Sequence, residues 1–157
     1  MRRRSRTRSA NNTAIRPATL DDFPRLLAIR AAVRENLLSD PGRVTLRDYQ
    51  DHLGPAGQTW VHEEDGVILG FSAATRATAT IWALFIHPDH EGRGIGRGLL
   101  DCAVDWLWSQ GAAEVGLTTG AGTRAEGFYR AAGWREASTT NGEIQFILPA
   151  APLAPHP

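Results

Sequence analysis

The sequence predicts a mixed α/β domain in which antiparallel strands come first and a strand-helix-strand crossover follows. Three observations carry this reading. The first half holds a hairpin pattern, the middle runs from an apolar strand through a glycine-rich loop into a long amphipathic helix, and the 157 residues suit one domain with one continuous core.

In chain order, residues 14–18 read as a short strand. Residues 20–37 carry apolar side chains at helical spacing (Phe23, Leu26, Leu27, Ile29, Val33, Leu37), and Asp21 and Asp22 suit the start of that helix. A second short helix fits residues 46–53, after the Asp40-Pro41-Gly42 break. Residues 59–63 and 67–74 make a hairpin around the Asp65-Gly66 turn signal. Residues 79–87 form a mostly apolar strand stopped by Pro88. Across residues 97–110, Leu99, Leu100, Ala103, Val104 and Leu107 mark one helix face, and Gly111 closes it. A strand over 115–119, a helix over 123–132 ended by Gly133, and a last strand over 144–148 complete the order. No internal repeat or linker-like break interrupts this run. The expected organisation is a single domain over residues 13–148, with a disordered Arg-rich tail at 1–12 and a Pro/Ala-rich tail at 149–157.

Bulk properties narrow the function. No apolar run approaches the ~20 residues that cross a bilayer, and no apolar segment follows the Arg-rich start, so neither a membrane span nor a secretory signal is read and a cytoplasmic protein is expected. Cys102 is the single cysteine, which excludes an internal disulfide and a multi-thiolate metal site; no metal is expected. Basic and acidic residues balance at 17 each, but Arg2, Arg3, Arg4, Arg6 and Arg8 all lie in the first ten positions, leaving 12 basic against 17 acidic thereafter. An acidic body disfavours nucleic acid and favours cationic amines. All basic residues are Arg, so the chain offers no lysine side chain of its own to acylate.

The loop between the apolar strand and the long helix reads Pro88-Asp89-His90-Glu91-Gly92-Arg93-Gly94-Ile95-Gly96-Arg97-Gly98. Glycines at 92, 94, 96 and 98 leave the backbone bare and free to take positive φ, so successive N–H groups can face one concavity. The helix start adds its unpaired N–H groups and positive dipole end, and Arg93 and Arg97 add charge. This is an anion cradle. A Walker-type loop requires Lys, which the chain lacks. The dinucleotide fingerprint requires a third Gly where Arg97 or Leu99 stands. What remains is a pyrophosphate held without either motif.

Phe85-Ile86-His87-Pro88 followed by Glu91-Gly92-Arg93-Gly94-Ile95-Gly96 resembles the signature of the GNAT superfamily of acyl-CoA-dependent N-acyltransferases, in which a Pro precedes Gln/Arg-x-x-Gly-x-Gly/Ala. A second segment of that family, Asn-x-x-Ala-x-x-Phe/Leu-Tyr-x-x-x-Gly-Phe, is echoed from Gly122 through Ala125, Phe128 and Tyr129 to Gly133 and Trp134. The likeness extends over about the whole of residues 14–148. It implies a mostly antiparallel twisted sheet of about six to seven strands, flanked by about four helices and splayed between central parallel strands. Glu91 departs from the family's Gln or Arg, and would have to point away from a pyrophosphate or pair with a nearby Arg. Gly122 replaces the common Asn, removing a hydrogen bond to the cofactor, and Trp134 replaces Phe.

The resemblance implies acetyl-CoA as cosubstrate and an amine of a small molecule or peptide as acceptor. Leu84, Phe85 and Ile86 would meet the pantetheine arm; Glu91, Gly92, Arg93, Gly94, Ile95, Gly96 and Arg97 would surround the pyrophosphate; Gly122, Ala125 and Phe128 would complete the cofactor site. Tyr129 matches the family's general acid for the departing thiolate. Free phenol titrates near ~10 and a thiol near ~8.5, so full proton transfer is uphill by roughly 2 kcal/mol, and hydrogen-bond stabilisation of the thiolate is the safer role. An alkylamine acceptor needs roughly 4.6 kcal/mol to be neutral at pH 7, which calls for a base or a water chain. Many relatives carry a Glu on the strand before the loop, but Thr80, Ile81, Trp82 and Ala83 hold nothing that titrates. Glu35, Asp40, His87 and His62 are the base candidates, and Tyr49, Trp60 and Trp82 are candidate pocket walls. The exposed edge strands suit a homodimer. The alternatives are a CoA-binding module without catalysis and, more weakly, an Arg tail acting as a nucleic-acid arm.

Overall fold

The structure is a computed structural model that describes residues 12–33 and 56–150. The helix expected over residues 46–53, both expected tails apart from residues 12, 149 and 150, and the stretch of the first helix past residue 33 lie outside the described residues. In chain order the elements are β1 (Thr13–Pro17), a 3-10 turn (Leu20–Asp22), α1 (Phe23–Ala32), β2 (Gly57–Glu64), β3 (Val67–Thr75), β4 (Thr80–Ile86), a second 3-10 turn (Pro88–His90), α2 (Ile95–Ser109), β5 (Glu114–Gly120), α3 (Arg124–Ala131), β6 (Arg135–Thr140) and β7 (Glu143–Pro149). The strands form one sheet in the order β1-β2-β3-β4-β5-β7-β6, antiparallel throughout except where β4 meets β5.

Local chemistry explains the element ends. The first helix opens through the 3-10 turn because Pro24, in the first turn of α1, brings no N–H and fits that position. Asp22 fixes the turn: its carboxylate accepts the Thr19 N–H at 2.8 Å and pairs with Arg16 at 2.9 Å, while Arg16 also reaches Glu63 at 3.0 Å. The Asp65-Gly66 turn has both residues at positive φ, as the tight hairpin between β2 and β3 requires. β7 runs to Pro149, one residue beyond the strand end read from the sequence.

Two buried clusters sandwich the sheet. Phe23, Leu26 and Ile29 of α1 pack with Val61, Phe71, Ala83 and Phe85. Leu99, Leu100, Ala103, Val104 and Leu107 of α2 pack with Leu69, Ile81, Val115, Tyr129, Trp134 and Phe146. Burial of each large apolar side chain contributes roughly 1.5–3 kcal/mol, so these faces hold the layers together. Helix α2 lies close on β3: the Ser72 hydroxyl donates to the Leu99 carbonyl at 3.0 Å, and a methyl on Gly70 would stand 2.7 Å from Ile86 Cδ1 and 3.2 Å from Leu99 Cδ1.

Among the described residues three α-helices flank the sheet, where the resemblance implied about four. β6 is a strand that apolar periodicity does not reveal, because all six of its residues are exposed and none is a large apolar residue. No helix of the described residues is long and apolar enough to cross a membrane.

Candidate active site

The site begins where the sheet comes apart. β4 and β5 share a single register pair, Thr80↔Gly116, next to the Gly116 N–H bond to the Ala79 carbonyl at 2.9 Å. Beyond it β5 stays paired with β7 as far as Gly120, while β4 continues along β3 to Ile86. The cause is visible in β4. Ala73 opposes Ala83 and Ala74 opposes Ile81, so Trp82 is an extra residue, and a bulge of this kind bends its strand. The bulge also changes side-chain phase: Ile81 packs on the α2 side, Trp82 and Ala83 on the α1 side.

The ladder phase decides which backbone groups enter the gap. His87 donates its N–H to the Leu69 carbonyl at 2.8 Å, and antiparallel bonding alternates by two, so Phe85 and Ala83 also bond toward β3. Leu84 and Ile86 therefore turn their N–H and C=O groups to the side that β5 has left. Phe85 does not: its backbone faces β3 and its ring is buried beside Phe71, at 5.5 Å between centroids, with the Arg30 guanidinium 4.6 Å from the ring centre. Two of the three strand-end residues picked from the sequence line the gap, and the third is core.

At the end of β4 the glycine loop enters α2. Gly92 and Gly94 have φ of 80° and 85°, with open space where a side chain would stand. Gly94 is the residue that caps α2, and this left-handed conformation at a helix start lets the following amides face outward. Gly96 and Gly98 do a different job. They lie within α2, where a methyl on Gly96 would be 3.5 Å from Ile86 Cγ1 and 3.7 Å from Phe128 Cζ, and one on Gly98 would be 3.3 Å from Ile15 Cδ1. Gly92 and Gly94 shape the loop and Gly98 admits Ile15, while a methyl at Gly96 would meet its neighbours at ordinary contact distance. Ile95 is buried and anchors the first turn. Arg93 reaches Glu64 at 2.7 Å and His90 at 3.0 Å, and Arg97 pairs along the helix with Asp101 at 3.1 Å. Of the two outcomes open to Glu91, pointing away or pairing with an Arg, the structure shows the second: it pairs with Arg124.

Helix α3 closes the other side. Thr123 caps it, its hydroxyl accepting the Glu126 N–H at 3.3 Å and donating to the Gly120 carbonyl at 2.8 Å. Gly122, at φ 79°, donates its N–H to Glu126 Oε1 at 2.8 Å. That bond first, and Arg130 second, hold the Glu126 carboxyl below the ordinary range. Ala125 and Phe128 pack against the α2-side cluster. Tyr129 is buried among Phe128, Trp134 and Phe146, with ring centroids 5.2, 5.8 and 6.0 Å away. Burial pushes its phenol well above the ordinary range, so at neutral pH it is a hydrogen-bond donor.

Residues 23–134 match the acetyltransferase (GNAT) family. The chain belongs to that family. Mycothiol acetyltransferase from Propionibacterium freudenreichii subsp. shermanii is 30% identical over 134 residues, which cover 78% of this chain and 43% of that protein. The chain therefore spans less than half the length of that curated relative. Among solved structures, the ribosomal-protein-S18-alanine N-acetyltransferase from Escherichia coli superposes with a TM-score of 0.72 at 21% identity, over 92% of this chain and 99% of that one. The PaiA N-acetyltransferase from Thermoplasma acidophilum in complex with coenzyme A gives 0.75 at 15% identity, over 87% and 98%. At these identities the likeness shows that the fold is the GNAT fold.

Within this GNAT sheet the remaining candidates separate. Glu35, Asp40 and Tyr49 lie outside the described residues. His87 is occupied as a cap, its Nδ1 accepting the Asp89 N–H at 3.1 Å. His62 is buried on β2 with Nε2 3.0 Å from Glu64, a carboxyl lowered by that contact and by Arg93. Trp82 packs on the α1 side, and Trp60 meets Trp106 edge to face at 5.7 Å. Arg124 and Glu64 were not legible as partners of the glycine loop: each binds it from a distant segment, and no spacing rule connects positions 33 or 29 residues apart.

Proposed function

We propose that this GNAT chain transfers an acetyl group from acetyl-CoA to a primary amine of a small molecule or peptide by direct attack within a ternary complex. The observation that carries it is the gap between β4 and β5, lined by the backbone groups of Leu84 and Ile86 that face away from β3 and ended by Gly92, Gly94 and the start of α2. A pantetheine arm carries amide groups that pair with an open strand edge, and its pyrophosphate suits a helix N-terminus reached through bare backbone. The solved relative that holds coenzyme A in the same fold supports this reading. The names of the relatives, one a mycothiol and one a ribosomal-protein acetyltransferase, support both kinds of acceptor.

In this reading the backbone of Leu84 and Ile86 orients the arm, and the amides from Gly92 to Arg97 neutralise the pyrophosphate. Tyr129 donates a hydrogen bond to the thiolate as it leaves. Its raised pKa makes complete proton transfer costlier than for free phenol, so the proton reaches sulfur late or through water. Thr80, Ile81, Trp82 and Ala83 supply no carboxylate, and the amine loses its proton to solvent or to a residue outside β4.

The test is acetyl-CoA turnover, followed as free thiol, over a panel of amines, aminoglycosides, amino acids and peptides. Turnover with at least one acceptor is expected. Tyr129→Phe should lower kcat by roughly a hundredfold and leave CoA affinity in place. Tight CoA binding without thiol release for any acceptor would replace this reading with that of a non-catalytic CoA-binding module.

A further inference from the structure

We propose that Arg124 is a phosphate-binding residue of the cofactor cleft and that Glu91 is its resting counter-ion, given up when a phosphoryl group of the cofactor arrives. The inference rests on the acyl-CoA reading above. It begins from position. Glu91 directly precedes Gly92 on the β4 side of the gap, and Arg124 is the first residue of α3 on the β5 side. Their ion pair therefore bridges the cleft at the end where the two strands have already parted.

The pair is built to exchange. The two side chains are 66% and 33% exposed, and an ion pair so open to water is weak. A phosphoryl group offers more oxygens and more charge to a planar guanidinium than one carboxylate does, so it is the stronger partner. The two arginines of the glycine-rich stretch itself are directed elsewhere, Arg93 toward Glu64 on β2 and Arg97 along α2 to Asp101. Arg124 is the guanidinium already set across the mouth. Exchange also accounts for a carboxylate beside an anion cradle: Glu91 holds Arg124 in place while the cleft is empty, at the expense of some affinity for the anion.

The experiment is calorimetric titration of CoA into the wild-type chain, Glu91→Gln and Arg124→Gln, repeated with 3′-dephospho-CoA. Glu91→Gln should bind CoA about two- to fivefold more tightly, and Arg124→Gln about tenfold more weakly. Without ligand both should melt within about 2 °C of the wild type, which separates lost binding from lost fold. If the dependence on Arg124 persists with 3′-dephospho-CoA, its partner is the pyrophosphate; if it disappears, the partner is the 3′-phosphate. Weaker CoA binding by Glu91→Gln, or unchanged binding by Arg124→Gln, overturns the exchange while the cofactor reading stands. A wild-type chain that binds no CoA overturns both.

Discussion

The two halves of the sheet are built differently. β3 is buried from Ile68 to Ala74, covered by α1 on one face and α2 on the other, and its neighbours β2 and β4 are paired to it along nearly their whole lengths. Beyond the gap, β7 alternates buried and exposed positions and β6 is exposed throughout. One register pair joins the halves. Helix α2 packs on both halves, so they part only along the strands: a slab with two covered faces holds a strand end in a fixed position, and a half whose strands meet it at one pair leaves that strand end uncovered. The cleft is the space between them.

The largest expected effect tests the slab. Phe71 is fully buried between α1 and β4, and Phe71→Ala should cost about 3–5 kcal/mol in urea denaturation. A cost below about 1.5 kcal/mol would mean that the slab is not the better-packed half. At the junction, Gly94→Ala should cost about 1–2 kcal/mol, because φ of 85° disfavours any L side chain although there is room for the methyl. It should weaken CoA binding as well, and unchanged affinity would show that the loop conformation is dispensable.

A pH series reads the slab's edge. Hydrogen bonding from Arg16, ahead of the Thr19 N–H, holds the Asp22 carboxyl below the ordinary range. Its contribution is thus complete above about pH 4 and fades as pH falls through the lowered value. Asp22→Asn should lose about 1 kcal/mol at pH 7, and the difference from the wild type should shrink in acid. A pH-independent difference would remove the ion pair from the account. The smallest effect belongs to the outer half. Glu136 on β6 pairs with Arg130 in solvent, and Glu136→Gln should leave the melting temperature within about 2 °C of the wild type. A drop of more than about 4 °C would show β6 to be more tightly integrated than its exposure indicates.

Much of this was legible where burial leaves a pattern. The face of α2, the hairpin at Asp65-Gly66 and the strand ending at Pro88 follow from apolar spacing and turn chemistry, and the glycine loop was visible at the start of the long helix. β6 was not, because a strand exposed on both faces has no apolar period to read. Nor could the sequence divide the four loop glycines into Gly92 and Gly94, which take positive φ, and Gly96 and Gly98, which lie within α2, the second close against Ile15. Composition gives them one property in common, and only the path of the chain separates their uses. The pairing of Glu91 with an Arg was foreseeable from electrostatics, but its partner was not, since Arg124 arrives through the tertiary fold.

The extra residue at Trp82 constrains how this chain can vary in length. Because Ala74 opposes Ile81 and Ala73 opposes Ala83 with Trp82 left over, removing that one residue would keep every later position on its present face and partner but take out the bend that turns β4 from β5. A one-residue deletion that the exposed turn at Asn141-Gly142 absorbs should therefore, at the centre of β4, spare the packing and narrow the cleft. Among homologous chains of differing length, the spacing from Trp82 to Pro88 should be the one that does not drift.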